Sequence, residues 1–380
     1  MEAIENAPRP QNSEVSAIYR NNSSASTLPS NMSSASKEPK SVSVLYPVIM
    51  MTIGIVTNLL ALMLAYRSYH QKENMRKKSF VLIIGAQALT NLTGELLISP
   101  IVIAVYLTHR QWGHVDPSGN LCTFFGVCIT TFGLWPLFFS SAMAVQWTLA
   151  IHAPQYYSNH ITIRFTKLLV MSIWVGVLIF ALLPVFGFGR YTVQWPGTWC
   201  FINTGGRSLS NTIYALIFVV LGISSLLVTL SSNVATIRGL LVCSKNKISS
   251  TNKQWERITL EVLFQLMGIM CVVYVCWSTV LMLLLIKIVT KSSSEYCYTS
   301  PTNPSPLSPE LQNECNIFLT GIRLAAFNQI FEPWVYLLLR ESMLRKVCQL
   351  TNAATMCLGE EVNEIPVTAE ESADLKEQII

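Results

Sequence analysis

Long runs of apolar residues, separated by short polar segments, dominate the chain between residues 41 and 350. Seven of these runs have roughly 20 residues or more, the length that a helix needs to cross a bilayer. They are apolar throughout and lack the alternation of a membrane β-barrel. Because lipid offers no hydrogen bonds to the backbone, the pattern predicts an all-α membrane protein, a bundle of seven spanning helices. The predicted spans are 42–66, 80–107, 121–151, 168–188, 212–241, 260–288 and 315–339.

The composition agrees with this prediction and gives an orientation. Charged residues make up 12% of the chain, against about 25% in a typical soluble domain. The net charge of +5 is divided among loops rather than gathered in one patch, so it does not indicate nucleic-acid binding. Lysine and arginine are concentrated in the loops that follow the odd-numbered spans. The positive-inside rule therefore places the N-terminus outside the cell and the C-terminus in the cytosol.

The two ends of the chain differ from the apolar domain between them. Residues 1–40 are rich in serine and asparagine and predict a disordered extracellular tail, with glycosylation sequons at Asn21, Asn22 and Asn31. Residues 41–350 form the predicted seven-helix domain, which ends in a short amphipathic helix after the last span. Residues 351–380 predict an acidic cytoplasmic tail.

Four cysteines lie on the outer side, where the compartment favours disulfides. Cys122 opens the third span and Cys200 lies in the loop between the fourth and fifth, so we expect a bridge that tethers this loop across the bundle. Cys297 and Cys315 flank the third outer loop. A second bridge and two free thiols are both consistent with that pair.

Three charged residues interrupt apolar spans, where each costs about 2.5–3.5 kcal/mol on insertion scales: Glu95, Arg323 and Glu332. Arg323 lies roughly two helical turns below the outer end of the seventh span. It could hold an anionic ligand group, extend to the outer interface, or pair with Glu95 inside the bundle. The residue types and spacing leave these three interpretations open.

Other residues indicate a bundle that changes shape. Trp277 lies in the middle of the sixth span, while Asn328, Pro333 and Tyr336 lie in the seventh. Proline inside a helix removes a hydrogen bond and produces a kink. We find no metal-ligand spacing, phosphate-binding loop or nucleophile–base arrangement, and therefore expect neither a metal or cofactor nor enzymatic activity.

Two motifs resemble a known family. Residues 193–201 read VQWPGTWCF, and the seventh span contains RLA at 323–325, NQ at 328–329 and EPWVY at 332–336. Both are similar to the prostanoid receptors, which are rhodopsin-like G-protein-coupled receptors. Further stretches resemble the prostaglandin E receptors and, among these, the third subtype: KKSF at 77–80, DPSG at 116–119, LCTFFG at 121–126 and QLMGIMC at 265–271.

The resemblance implies a function and a ligand site. It implies a plasma-membrane receptor for prostaglandin E that acts through an inhibitory heterotrimeric G protein on adenylate cyclase. Arg323 matches the arginine that binds the ligand carboxylate in this family, and Tyr106 and Thr198 match its hydroxyl partners. The resemblance also implies that the rest of the ligand is lined by Ser99, Trp199, Trp277 and Gln329.

The chain departs from the family mainly on the switching machinery. Gln146 and Trp147 replace the Glu-Arg pair that ends the third span. Asn91 replaces an aspartate in the second span, and we expect Glu95, one turn away, to take over part of its role. Glu332 replaces the aspartate before Pro333, and two further departures are Thr279 for proline and Ala326 for serine.

These departures keep two alternatives open. The first is a prostanoid-binding receptor with weak or absent G-protein signalling, such as a decoy. The second is a transporter in which Glu95, Arg323 and Glu332 form an intramembrane relay. No inverted repeat or broken helix pair in the sequence favours the transporter.

Overall fold

The computed structural model describes residues 45–70, 75–107, 112–204, 208–248, 253–290 and 309–338. The predicted tails lie outside these residues, as do the glycosylation candidates Asn21, Asn22 and Asn31, the cysteine Cys297 and the amphipathic helix expected after the last span. Seven long helices occupy most of the described chain: α1 (Leu45–His70), α2 (Met75–Leu107), α4 (Asn120–His152), α6 (Ile163–Leu182), α7 (Leu209–Ile248), α8 (Lys253–Thr290) and α9 (Pro309–Leu338). Two short helices, α3 (Trp112–Val115) and α5 (Pro154–His160), lie in the connections.

The long helices confirm the predicted seven-helix bundle. Within the described residues, six of them are long and apolar enough to cross a bilayer. The remaining one, α9, has 30 residues, and Arg323 interrupts its apolar sequence.

The helices pack in a closed order. Each of α1, α2, α4, α7, α8 and α9 contacts the next, and α9 returns to α1. Helix α4 is the central member: 56% of its most apolar 18-residue stretch is buried, against 17% of the corresponding stretch within Ile163–Phe186. Polar contacts also join α4 to α7: the Ser141 hydroxyl donates to the Ser225 carbonyl at 2.9 Å, and the Ser225 hydroxyl donates to the Leu137 carbonyl at 2.8 Å. These bonds satisfy hydroxyls that lipid could not.

Seven predicted boundaries were wrong by more than three residues. The fourth span, predicted at 168–188, begins at Ile163 and ends at Leu182, and a 3₁₀ turn (Leu183–Phe186) follows. The turn contains Pro184, which cannot continue an α-helical hydrogen-bond ladder. Helices α1 and α7 extend beyond positions 66 and 241, and α2, α8 and α9 begin before positions 80, 260 and 315. A helix can continue past its apolar stretch, and so hydropathy alone places these ends poorly.

A β-hairpin fills the loop between α6 and α7. Strand β1 (Tyr191–Gln194) pairs antiparallel with β2 (Trp199–Ile202). The predicted disulfide joins Cys122, in α4, to Cys200, in β2, with 5.4 Å between the two Cα atoms. Cys315 is also disulfide-bonded; its pairing with Cys297, which is not among the described residues, stays a prediction.

Asp116 fixes the start of α4 and, with it, the position of Cys122. Its carboxylate accepts hydrogen bonds from the backbone N–H of Cys122 at 2.7 Å and from the Ser118 hydroxyl at 3.0 Å. Burial raises the pKa of Asp116, but these hydrogen bonds outweigh burial and hold the pKa below its ordinary value. A negative charge is also favourable at a helix N-terminus, where backbone N–H groups lack partners.

Replacing Asp116 with asparagine is expected to lower the free energy of unfolding by about 1 kcal/mol at neutral pH. The pKa of Asp116 is depressed in the folded protein, and its charge therefore stabilises the fold above the ordinary aspartate pKa. That contribution is lost as the pH falls through the depressed value. Thermal unfolding of the detergent-purified protein at several pH values tests this. Ser118→Ala, which removes one of the hydrogen bonds, is the control with a smaller expected loss; equal melting temperatures for wild type and Asp116→Asn at neutral pH would contradict the prediction.

Candidate ligand-binding site

A cavity of about 190 Å³ lies at the end of the bundle that carries the hairpin. The described residues that line it come from the hairpin and from every long helix except α6. Most of the lining is apolar, with a few polar side chains, which is typical of a site for a small molecule. All seven residues predicted to contact a ligand line this one cavity: Ser99, Tyr106, Thr198, Trp199, Trp277, Arg323 and Gln329.

Arg323 brings a positive charge into this cavity. Its guanidinium carbon lies 4.8 Å from the centroid of the Tyr46 ring, a cation–π distance, and its Nη2 lies 3.5 Å from the Tyr106 hydroxyl. The Tyr46 hydroxyl donates to the Arg323 carbonyl at 3.2 Å and ties α1 to α9. Among the described residues, no acidic side chain forms an ion pair with Arg323, so the predicted alternative of a pair with Glu95 is not observed. A half-buried guanidinium in this position is suited to binding a carboxylate.

The hairpin covers the cavity and is held in place from several sides. Besides the disulfide, the Trp195 indole N–H donates to the Asn316 side chain of α9 at 3.1 Å. The Trp199 indole N–H donates to the Trp195 carbonyl at 2.8 Å. Gly197 has φ 93, which suits glycine in the turn between the strands, and its carbonyl accepts from the Trp112 N–H at 3.3 Å. These contacts fix Thr198, next to Gly197, and Trp199 at the cavity wall.

Glu95 and Ser99 lie on one face of α2, deeper in the same cavity. The Ser99 hydroxyl donates to Glu95 Oε2 at 2.8 Å, and Glu95 is 6% exposed. Two predicted lining residues complete this region from other helices. Gln329 donates to the Phe132 carbonyl at 3.2 Å, and Trp277 packs on Gly133, where a Cβ atom would lie 3.0 Å from its ring.

The sequence did not identify every lining residue. Tyr46 contacts Arg323 from a helix 277 positions away along the chain, and nothing in the local sequence indicates that contact. Glu95 was assigned to the switching machinery, although its side chain lines the cavity. Its position four residues before Ser99, on the same helix face, was a signal that could have placed it there.

Comparisons with known proteins agree with this architecture. Residues 57–336 match the model of the 7 transmembrane receptor (rhodopsin family). The chain is 51% identical to the prostaglandin E2 receptor EP3 subtype of Homo sapiens over 320 residues, which cover 82% of this chain and 80% of that receptor. It is 33% identical to the prostaglandin F2-alpha receptor of Homo sapiens over 319 residues, which cover 83% of this chain and 82% of that receptor. The chain belongs to the prostanoid receptor family. The crystal structure of squid rhodopsin shares the fold, with a TM-score of 0.61 at 14% identity, covering 86% of this chain and 91% of that one.

Membership of the prostanoid receptors confirms several expectations from the sequence. The chain is a multi-pass membrane protein with the helical bundle of rhodopsin-like receptors. The relatives are receptors, which agrees with the expectation that the chain is not an enzyme.

Two predicted switch residues, which replace the Glu-Arg pair expected for a prostanoid receptor, lie at the opposite end of the bundle from the hairpin. Gln146 is buried, and the Ser79 hydroxyl donates to its Oε1 at 3.5 Å. The Trp147 ring stacks on Phe80 with 4.6 Å between centroids and 29° between planes. Phe80 also stacks on Tyr157 of α5, with 6.0 Å between centroids and 12° between planes. Trp147 therefore joins an aromatic stack that connects α2, α4 and α5.

The other switch candidates are only partly described. Asn91 and Asn328 are both 1% exposed, and their amide atoms form no hydrogen bond within the described part of the chain. Glu332, Pro333 and Tyr336 lie in α9, but their side chains are not among those the structure describes. The proposed exchange of roles between Glu95 and Asn91 therefore stays a prediction.

Proposed function

We propose that this prostanoid receptor binds prostaglandin E at the cell surface and inhibits adenylate cyclase through an inhibitory G protein. The observation that carries the proposal is the position of Arg323. Its guanidinium lies at the wall of a mostly apolar cavity, beside Tyr106, without an acidic partner among the described residues. An oxygenated fatty acid has the complementary form, one carboxylate on a long apolar body.

Similarity to a named receptor supports the choice of prostaglandin. The human relative with 51% identity is a prostaglandin E2 receptor, while the prostaglandin F2-alpha receptor is 33% identical. We also propose that the hairpin end of the bundle faces outward, because the loops at the opposite end carry most of the lysines and arginines. In this orientation the cavity lies in the extracellular half of the bundle, and the aromatic stack around Trp147 lies near the cytosol.

A second candidate function is a prostaglandin-binding receptor that signals weakly. The stack of Trp147, Phe80 and Tyr157 favours it, because it occupies the end of the bundle where the G protein would have to dock. These aromatic contacts stabilise the packing of α2, α4 and α5 against one another, and so oppose a rearrangement that would admit the G protein. The ligand cavity is unaffected by this difference, and the two functions therefore share the same binding site.

One experiment separates these functions. Saturable binding of labelled prostaglandin E2 is measured on membranes of cells that express the chain, and cyclic AMP is measured in the same cells. We expect saturable binding together with suppression of forskolin-stimulated cyclic AMP. Binding without a cyclic AMP response would favour the weakly signalling receptor, and absence of saturable binding from well-expressed protein would refute both. Untransfected cells provide the control for endogenous receptors.

A further inference from the structure

Helix α4 contains a buried proline, Pro136, in its interior, one turn from the cavity-lining residue Phe132. In an α-helix each residue donates its backbone N–H to the carbonyl four positions earlier, and for position 136 that carbonyl belongs to Phe132. Proline has no N–H, so the Phe132 carbonyl lacks its helical donor. Phe132 is 5% exposed, and a backbone carbonyl buried among apolar groups needs a donor from elsewhere.

The side chain of Gln329, in α9, supplies that donor. Its Nε2 donates to the Phe132 carbonyl at 3.2 Å. Because a carbonyl only accepts, the amide nitrogen of Gln329 must face α4, and the orientation of the side chain is thereby fixed. Helices α4 and α9 are not consecutive in the ring of helices, so this bond crosses the interior of the bundle. We call it the α4–α9 tie.

The backbone of Gln329 repeats the arrangement. Its carbonyl lies four residues before Pro333, which likewise has no N–H to donate. The carbonyl instead accepts from Nδ2 of Asn58, a buried residue of α1, at 3.2 Å. One residue of α9 is therefore held from two sides, through its side chain to α4 and through its carbonyl to α1.

We propose that Pro136 is a positioning residue of the ligand site, because the carbonyl that it frees holds Gln329 and so fixes α9 across the cavity. The proposal rests on the proposed function, in which Arg323 of the same helix binds the carboxylate of a prostanoid. Gln329 and Arg323 both line the cavity, and they lie about 9 Å apart along the helix axis. The α4–α9 tie thus restricts movement of the segment that carries Arg323.

A restricted site binds its ligand more tightly. A site that already has its binding geometry loses less conformational freedom when the ligand arrives. Differences in affinity among variants of one site lie mostly in the dissociation rate. Loss of the tie should therefore speed the release of the ligand and leave its association rate nearly unchanged.

Pro136→Ala removes the tie without altering Gln329. The new backbone N–H can donate to the Phe132 carbonyl, and the Gln329 amide then loses its acceptor. Labelled prostaglandin E2 should dissociate about tenfold faster from this variant and bind about tenfold more weakly, with little change in the association rate. Association, washout and saturation measurements on membranes with equal numbers of binding sites give these quantities.

A cycle of two variants separates the tie from two independent effects. Gln329→Met removes the amide and keeps a flexible side chain of similar length, so it should also speed dissociation about tenfold. It leaves the Phe132 carbonyl unpaired, and the melting temperature of the detergent-purified protein should fall. In the double variant dissociation should be no faster than in either single variant, because both changes break one bond. Its melting temperature should exceed that of Gln329→Met, because the backbone N–H again satisfies the carbonyl.

Pro100→Ala is the matched control, since it makes the same change in the interior of α2. Its effect on dissociation should multiply with that of Gln329→Met, as expected of residues that share no bond. A wild-type dissociation rate for Pro136→Ala would overturn the proposal, and so would effects of Pro136→Ala and Gln329→Met that multiply in the double variant. If the wild type binds no labelled prostaglandin E2, the proposed function fails and the positioning role fails with it. In both other refuting outcomes the wild type still binds, so the two failures are distinguishable.

Discussion

Exchange of Arg323 for alanine is expected to weaken the binding of labelled prostaglandin E2 by about 2–5 kcal/mol, or roughly 30-fold to several thousandfold. The guanidinium lines the cavity and lies 3.5 Å from the Tyr106 hydroxyl. No acidic side chain among the described residues is paired with it. Its removal would leave the ligand carboxylate in an apolar environment without a charged partner, and an unpaired buried charge is strongly destabilising. Saturation binding on membranes with matched expression measures the change.

Two further variants show how Arg323 acts. Arg323→Lys keeps the charge but lacks the planar fork that binds both oxygens of a carboxylate, and an intermediate loss is expected. Tyr46→Phe keeps the ring over the guanidinium and removes only the hydroxyl that donates to the Arg323 carbonyl, so its effect should be small. An affinity for Arg323→Ala equal to that of the wild type, with an equal number of sites, would refute the carboxylate role.

The helical framework could be predicted from the sequence because bilayer thickness and backbone hydrogen bonding restrict the possible structures. The boundaries were less predictable where polar segments continue a helix. Pro309 begins α9 six positions before the predicted start at 315. Backbone N–H groups in the first turn of a helix have no intrahelical acceptor, so proline, which has no N–H, loses no hydrogen bond there. The hairpin was expected only as a loop, although Tyr191, Val193 and the turn at Gly197 follow a strand-like pattern.

The candidate site was predictable to a different extent at each residue. Arg323 is conspicuous because a charge in an apolar span is costly, and the resemblance to prostanoid receptors supplied Tyr106 and Thr198. No local pattern shows that Tyr46 lies over Arg323, because the contact depends on how α1 packs against α9. The surroundings of Glu95 likewise depend on packing, since the close approach of Gly54 brings α1 against its carboxylate. Tertiary contacts of this kind cannot be read from spacing along one helix.

Restoring the family's Glu-Arg pair, by Gln146→Glu with Trp147→Arg, is expected to increase G-protein activation by prostaglandin E2 about tenfold. Trp147 is held against Phe80, and Phe80 against Tyr157, so the Trp147 ring stabilises the packing of α2, α4 and α5 in this structure. An aromatic pair contributes about 0.5–1.5 kcal/mol beyond the area that it buries. A change of 1.4 kcal/mol shifts a two-state equilibrium tenfold. Nucleotide exchange on an inhibitory G protein, measured in membranes with equal receptor number, reports the change.

Other variants of the same aromatic stack separate the effect of losing aromatic packing from the effect of introducing an arginine at position 147. Trp147→Phe keeps an aromatic ring against Phe80, and its signalling should resemble that of the wild type. Phe80→Ala removes the ring that contacts both Trp147 and Tyr157. This variant should raise basal nucleotide exchange without introducing an arginine, because the packing of α2, α4 and α5 loses both aromatic contacts. The affinity for prostaglandin E2 should change little in each, since neither residue is among those that line the cavity. If the double variant and Phe80→Ala both leave basal and evoked exchange at the wild-type level, neither the aromatic stack nor the missing arginine controls coupling.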